Sequence, residues 1–134
     1  MSAILALRAG LRAALVADAT LTGLIGGAQV WDERPIDATP PFLTFGPARA
    51  SPTTEGPGAT AHRLELVAWS LQGGDGEALT IAHRAAALLD DAAPPLAGHR
   101  IVALRVRDTR VGRPDRQGLR RTIVTLDALT QAIS

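Results

Sequence analysis

The side chains of this sequence that could bind a metal or transfer a proton are scattered along its 134 residues. The three histidines, His62, His83 and His99, are far apart and form no H-x-x-x-H or H-E-x-x-H pattern, in which two imidazoles share one helix face. Cysteine is absent, which excludes thiolate ligands, disulfides and a cysteine nucleophile. The spacing therefore predicts no metal site.

Carboxylates and glycines offer two further kinds of catalytic site, and the sequence predicts neither. The adjacent pairs Asp32-Glu33 and Asp90-Asp91 carry side chains that diverge on a strand or a helix, so neither pair suits acid–base catalysis. The segment Gly73-Gly74-Asp75-Gly76 precedes a predicted helix, where backbone amides can bind phosphate. The chain has no lysine for a P-loop, however, and Asp75 would repel the anion. We expect a turn and a helix cap there, and we predict no enzyme activity and no cofactor.

The strongest charge feature is a predicted β-hairpin in the last third of the chain. Residues 99–134 contain eight arginines and three aspartates, a net charge of +5, whereas residues 1–98 carry −4. This polarity favours an acidic partner or the acidic side of a neighbouring copy. Three interpretations stay open: a solvated sheet face, a subunit interface, and a nucleic-acid surface, although no stacking aromatics accompany the arginines. The candidate interface residues are Arg105, Arg107, Arg110, Arg113, Arg116, Arg120 and Arg121.

Helices are predicted at the N terminus and near the middle of the chain. The first covers residues 3–17, has Ser2 as its N-cap and carries an apolar stripe made of Ile4, Leu7, Leu11 and Leu15. Asp18 is the predicted cap of a second, short helical turn. A further helix follows Asp75, its predicted cap, and ends before Pro94-Pro95.

Predicted strands account for most of the remaining chain. Val30-Trp31 is a brief extended segment, residues 42–45 and 62–70 read as strands, and a hairpin fills the last third. Helices that interrupt antiparallel pairs predict one α+β domain over residues 1–134, with a mostly antiparallel sheet and two main helices packed on one face. No apolar run approaches the ~18 residues of a membrane span, and no signal peptide is recognised, so we expect a soluble intracellular protein.

A polar segment separates the second and third predicted strands. Residues 46–61 concentrate proline, glycine, serine and threonine, which predicts a long flexible loop of about fifteen residues. Loops of this length are either mobile or become ordered on a partner. We take Thr53, Thr54 and Glu55 as candidate axial docking residues, together with the hairpin turn at residues 110–118.

A succession of segments carries a family resemblance. The opening helix runs into LVADATLTGLIGG at residues 15–27, and VWDERP follows at residues 30–35. PPFLTFG at residues 40–46 and LELVAWS at residues 64–70 precede the alanine-rich helix, and LAGHRIV follows it at residues 96–102. In this succession, which covers nearly the whole chain, the sequence resembles the small tail-completion, or tail terminator, proteins of long-tailed phages and phage-derived gene transfer agents.

The resemblance implies a structural role, because the family pattern contains no catalytic motif. Such proteins assemble as a ring, usually of six copies, on the head-proximal end of the tail tube, where they stop its growth and meet the head-side connector. The implied partners are further copies of the chain, the tail tube protein and the connector or stopper protein. DNA would pass through the ring without specific binding, and no membrane is involved.

Two other functions stay open beside this one. A head–tail connector or stopper of the same particle is the nearest alternative, since connectors are similarly small ring-forming proteins. An Arg-rich nucleic-acid-binding module is the other. For a tail terminator and for a connector, the expected location is the assembled phage or phage-like particle, at the head-proximal end of the tail, with synthesis in the host cytoplasm.

Overall fold

The elements follow the predicted order along the chain. The computed structural model describes residues 2–133. Within them lie three helices and five strands: α1 (Ala3–Val16), α2 (Ala19–Ile25), β1 (Val30–Trp31), β2 (Phe42–Pro52), β3 (Ala59–Ser70), α3 (Gly76–Leu89), β4 (His99–Val111) and β5 (Arg120–Ala132).

The strands form a single sheet in the order β1-β2-β3-β5-β4. The β1–β2 pair is parallel, and the other three pairs are antiparallel. β3 and β5 pair over their whole lengths, from Ala59 opposite Gln131 to Ser70 opposite Arg120. This arrangement confirms the predicted α+β class and its mostly antiparallel sheet.

The helices cover one face of the sheet and form the core with it. Alternate residues of a strand point to the same face, so the predicted strand over residues 62–70 puts Leu64, Leu66 and Ala68 on one face. The structure places all three beneath the helices, where they are buried. The apolar stripe of α1 packs against them, as predicted. Other buried members of this cluster are Leu7, Leu11, Leu15, Ile81, Ala85, Leu89, Val124 and Leu126.

Strand β4 contains two irregularities that alternation alone does not reveal. Its pairing with β5 shifts between Ile101 and Ala103 and again between Val106 and Asp108. Each shift inserts an unpaired residue and reverses the alternation beyond it. Strict alternation in the predicted hairpin puts Val102, Leu104 and Val106 on one face. That prediction is wrong for Val102, because the first shift leaves it about half exposed while Leu104 is buried.

The predicted loop over residues 46–61 is mostly strand. β2 continues to Pro52 and β3 begins at Ala59, so the connection shrinks to residues 53–58. Prolines mislead here because an edge strand tolerates them where the missing amide would point away from its partner. β1 pairs only with the start of β2, which leaves the rest of β2 an edge. Pro47 lies in a bulge between Phe45 and Ala48, where the register shifts.

Helix ends follow the predicted capping residues in two of three cases. The Oγ of Ser2 accepts a hydrogen bond from the Leu5 amide at 3.2 Å, and Oδ2 of Asp18 accepts one from the Leu21 amide at 2.8 Å. Asp75 stands at the N-cap position of α3, but its side chain caps no amide. Its carboxylate instead accepts a hydrogen bond from Arg120 at 3.2 Å.

Candidate assembly surfaces

The sheet face opposite the helices carries a network of charged side chains. Nε of Arg63 donates to Oδ1 of Asp127 at 2.8 Å, and Nη1 of Arg107 donates to Oδ2 of the same carboxylate at 3.2 Å. Arg110 donates to Oε2 of Glu65 at 3.0 Å. These pairs link β3, β4 and β5 through their side chains, and Arg63, Glu65, Arg107 and Arg110 line a shallow groove on this face.

The network shifts the proton affinity of its central groups. The hydrogen bond from Arg63, supported by the one from Arg107, lowers the pKa of Asp127 below 3.8 despite some desolvation. The hydrogen bond that Arg63 donates to Asp127 raises the pKa of Arg63. Favourable partners for the charged form shift a pKa in these directions, so both groups stay ionised at neutral pH and the network keeps its charges.

Aromatic side chains occupy one end of the same face. The rings of Phe42 and Trp69 are tilted with centroids 6.4 Å apart, and Trp69 Nε1 donates to Thr44 Oγ1 at 2.8 Å. The guanidinium of Arg34 lies 5.6 Å from the centroid of Phe42, and that of Arg121 lies 5.9 Å from the centroid of Trp69. Guanidinium groups at these distances are attracted to the ring face, so both arginines are committed to contacts within the chain.

The seven predicted interface arginines do not form one free patch. Four are in salt bridges within the chain, namely Arg105 with Asp90, Arg107 with Asp127, Arg110 with Glu65, and Arg120 with Asp75. Arg121 lies over Trp69. Within residues 2–133, Arg113 and Arg116 form no salt bridge, and both are exposed. The charge difference along the sequence is therefore largely cancelled in the folded chain.

Arg113 and Arg116 lie in the turn between β4 and β5, which spans residues 112–119 rather than the predicted 110–118. The carboxylate of Asp115 shapes this turn by accepting hydrogen bonds from the amides of Gln117 and Leu119 at 2.9 and 2.8 Å. Gly112 at its start permits a close approach, because a Cβ there would lie 2.6 Å from Nε of Arg121. The turn therefore holds its two free arginines on a hydrogen-bonded backbone.

The other predicted docking residues lie at the far end of the sheet. Thr53, Thr54 and Glu55 belong to the short turn that joins β2 to β3, and Thr54 and Glu55 are exposed. This turn is fastened by backbone hydrogen bonds from Thr53 to Ala59 and from Ala132 to Gly58. β4 and β5, of 13 residues each, are about 40 Å long and separate the two turns.

Sequence reasoning missed a third exposed segment, the connection between β1 and β2. Asp32, Glu33 and Asp37 are exposed and form no salt bridge with any residue that the structure describes. Ile36 is completely exposed. The motif Asp-Glu-Arg-Pro-Ile-Asp offered a usable signal, because a single isoleucine among charged residues and proline matches neither strand alternation nor a helix stripe.

The histidines have structural environments. His62 is buried in β3, and its Nε2 lies 2.8 Å from Oγ1 of Thr130. Burial lowers the pKa of His62 below 6.5. Among residues 2–133, no three histidine, aspartate or glutamate side chains are arranged to hold a metal ion. In the same range, no helix is long and apolar enough to cross a membrane.

Comparison with known proteins assigns this fold to a family. The family model described as tail completion protein gp17 matches residues 9–131. The chain belongs to this family. The resemblance seen in the succession of sequence segments is thereby confirmed, and the chain has the structural tail-completion role of the family, as a component of a phage-like particle.

A solved structure has the same fold. A chain in the structure titled "Virion of native gene transfer agent (GTA) particle" superposes with a TM-score of 0.87 at 22% sequence identity, and the match covers 98% of each chain. At this identity the match establishes the common fold, which extends from end to end of both chains. No curated protein sequence matches the chain.

Proposed function

We propose that the protein forms a ring of six copies that ends the tail tube and joins it to the head-side connector. Family membership supports the tail-completion role. The number of copies and the position come from the resemblance of the sequence to tail terminators. The proposed role uses binding surfaces alone and needs no catalytic group.

The observation that carries this proposal is the position of two exposed turns at opposite ends of the sheet. The β2–β3 turn, with the exposed Thr54 and Glu55, lies at one end, and the β4–β5 turn lies at the other. The long strands between them span about 40 Å. A subunit of this shape, set with its strands along the tail axis, can contact the tube at one end and the connector at the other.

The charge network favours a structural role over nucleic-acid binding. A nucleic-acid surface needs arginines that are free to replace counterions on phosphates. Arg105, Arg107, Arg110 and Arg120 are instead paired with carboxylates of the same chain. DNA in the lumen of the proposed ring would therefore pass without specific contacts.

Imaging of the assembled particle tests the proposed position. Six copies around the axis at the head-proximal end of the tail tube are the expected result. Copies bound directly to the capsid portal, with another protein between them and the tube, would assign the connector or stopper role instead. Density elsewhere in the particle would contradict both roles.

A variant of the β2–β3 turn tests whether this end contacts a partner. Thr54→Arg with Glu55→Arg changes two exposed side chains and leaves the hydrogen bonds of Thr53 and Gly58 in place. We expect the variant to fold and to reduce the yield of joined particles, measured as infectivity or gene transfer. His83→Arg with Ala87→Arg, on the exposed side of α3, is the control with the same number of added arginines. Wild-type yield from the turn variant would remove the β2–β3 turn from the proposed contacts.

A further inference from the structure

The connection between β1 and β2 has the properties of an interaction surface. Asp32, Glu33 and Asp37 give residues 32–37 a net negative charge even with Arg34 included, and Arg34 lies over the ring of Phe42. Ile36 stands completely exposed among them. Nε of Arg12 donates to the carbonyl of Val30 at 2.8 Å and holds the strand that precedes this segment. We name residues 32–37 the acidic loop. An exposed aliphatic side chain flanked in the sequence by exposed carboxylates suits a basic partner with an apolar centre.

The β4–β5 turn has the complementary properties. Arg113 and Arg116 are exposed and form no salt bridge within residues 2–133, and Asp115 is engaged with the amides of its own turn. Val111, the last residue of β4, is about half exposed beside them. We name residues 111–119 the basic tip. It offers two free guanidinium groups and one apolar side chain on a backbone already held by hydrogen bonds.

The sheet topology places these two surfaces where neighbouring copies can bring them together. A single row of paired residues crosses the sheet: Trp31, Thr44, Val67, Ile123 and Arg110. The acidic loop follows the β1 end of this row and the basic tip follows its β4 end. The two segments therefore begin at the same height along the strands, at opposite side edges of the sheet, although β1 and β4 run in opposite directions.

This placement suits a closed ring. A heterologous contact joins two different patches, and it closes into a ring only when successive copies are related by rotation without translation along the axis. When the strands run along the ring axis, two patches at the same height along the strands satisfy that condition. We propose, on the basis of the ring function above, that the acidic loop of one copy binds the basic tip of the next copy.

A groove on the helix face is a poorer partner for the acidic loop. It lies between α2 and α3 and is lined by Leu24, Glu77 and Ile81 among others. It offers apolar surface to Ile36, but the carboxylate of Glu77 has the same sign of charge as the loop. Like charges brought together in an interface oppose binding, so the basic tip is the better match.

Charge reversal tests the pairing. The loop-reversed variant carries Asp32→Arg with Asp37→Arg, and the tip-reversed variant carries Arg113→Glu with Arg116→Glu. Each places like charges in the contact, and we expect each to weaken ring formation about tenfold or more, measured by native mass spectrometry at low salt. The combined variant, with all four substitutions, restores opposite charges and should form rings again.

An equimolar mixture of the two reversed variants gives the sharpest result. Each loop then meets a tip of opposite charge only on the other variant, so we expect rings in which the two alternate. Circular dichroism and thermal melting establish that each variant is folded. Rings formed by either reversed variant alone at wild-type strength, or folded variants that stay apart when mixed, would overturn the inference.

Cross-linking tests the contact in assembled particles. The chain contains no cysteine, so introduced thiols react without background. We expect Ile36→Cys with Val111→Cys to give a ladder of cross-linked copies with a short bis-maleimide. Ile36→Cys with Val102→Cys is the matched control, because Val102 and Val111 are equally exposed at opposite ends of β4. A ladder from the control pair but not from the test pair would overturn the inference.

The proposed ring and the proposed contact between acidic loop and basic tip can be contradicted by different results. Wild-type protein that forms no ring, in solution or on isolated tails, contradicts the proposed function. Wild-type rings that survive Arg113→Glu with Arg116→Glu leave the proposed function standing and overturn the contact between acidic loop and basic tip.

Discussion

Arg63 and Asp127 meet across β3 and β5, with Nε of Arg63 donating to Oδ1 of Asp127 at 2.8 Å although 64 positions separate them in the sequence. The other carboxylate oxygen of Asp127 accepts from Arg107 of β4. One carboxylate thus links side chains of the three longest strands, β3, β4 and β5. This ionic network lies on the sheet face that carries no helices, beside the aromatic pair of Phe42 and Trp69.

Removing the charge of Asp127 should destabilise the fold in a pH-dependent way. Asp127→Asn leaves Arg63 and Arg107 without a counter-charge, so we expect a lower melting temperature at pH 7. The pKa of Asp127 is lowered on folding, mainly by the hydrogen bond from Arg63. Its contribution is therefore present above the unfolded pKa and is lost as pH falls through the folded one.

Thermal melting over an acid pH series measures this effect. The melting temperatures of wild type and Asp127→Asn should converge as pH falls below 3.8, the ordinary pKa of an aspartate. Asp108→Asn is the control, because Asp108 pairs with Arg110 at only 4.0 Å on an exposed surface, where ion pairs contribute little. A constant difference across the pH series would contradict the role given to the Asp127 carboxylate.

The two capping aspartates should respond differently to the same substitution. Asp18 caps α2 through the Leu21 amide and also accepts two hydrogen bonds from Arg84 of α3. Asp18→Ala removes both functions and should lower the melting temperature clearly. Asp75→Ala removes only one partly buried hydrogen bond, from Arg120 at 3.2 Å, and no helix cap, so its effect should be smaller. Equal losses in the two variants would show that the helix cap contributes nothing measurable.

The sequence contained enough information for the helices, the element order and most of the core. The stripe of Leu7, Leu11 and Leu15 and the alternation of Leu64 and Leu66 depend on local periodicity, which survives in the structure. Each pattern predicts which face is buried without knowledge of the partner element. The capping positions of Ser2 and Asp18 are local for the same reason.

Features that depend on strand pairing could not be predicted from local patterns. Pro47 indicated a loop because its tolerance in β2 depends on this part of β2 being a free edge, which only the short pairing with β1 reveals. The two register shifts in β4 arise from its pairing with β5. Likewise, the arginines of β4 looked free because their partners, Asp90 and Asp127, approach them only in the folded chain.

Two helix glycines provide a test of packing against intrinsic helix propensity. A Cβ at Gly10 in α1 would lie 3.0 Å from the carbonyl oxygen of Pro95 and closer still to the side chain of Leu96, whereas no atom lies within 4 Å of a Cβ at Gly23 in α2. Alanine is favoured over glycine in helices by up to about 1 kcal/mol. Overpacking a filled site costs about 1–3 kcal/mol.

The two substitutions should therefore change stability in opposite directions. We expect Gly10→Ala to lower the free energy of unfolding and Gly23→Ala to raise it, measured by urea denaturation of both variants beside the wild type. A stabilising Gly10→Ala would mean that Leu96 and the chain at Pro95 move aside freely, so that the contact between α1 and this segment is not close-packed.

The arginines of the hairpin should separate into those that stabilise the fold and those that are free for assembly. Arg105→Glu with Arg107→Glu places new carboxylates beside Asp90 and Asp127, the present salt-bridge partners. Arg113→Glu with Arg116→Glu makes the same change in net charge at residues that form no salt bridge within residues 2–133. We expect the first pair to lower the melting temperature of the monomer by several degrees and the second pair to leave it nearly unchanged.

Melting at low and high salt measures both, and the deficit of the first pair should shrink as salt screens the repulsion. Equal melting temperatures for the two variants at low salt would mean that the salt bridges of Arg105 and Arg107 do not stabilise the sheet, and these arginines would then be as available to a neighbouring copy as those of the basic tip.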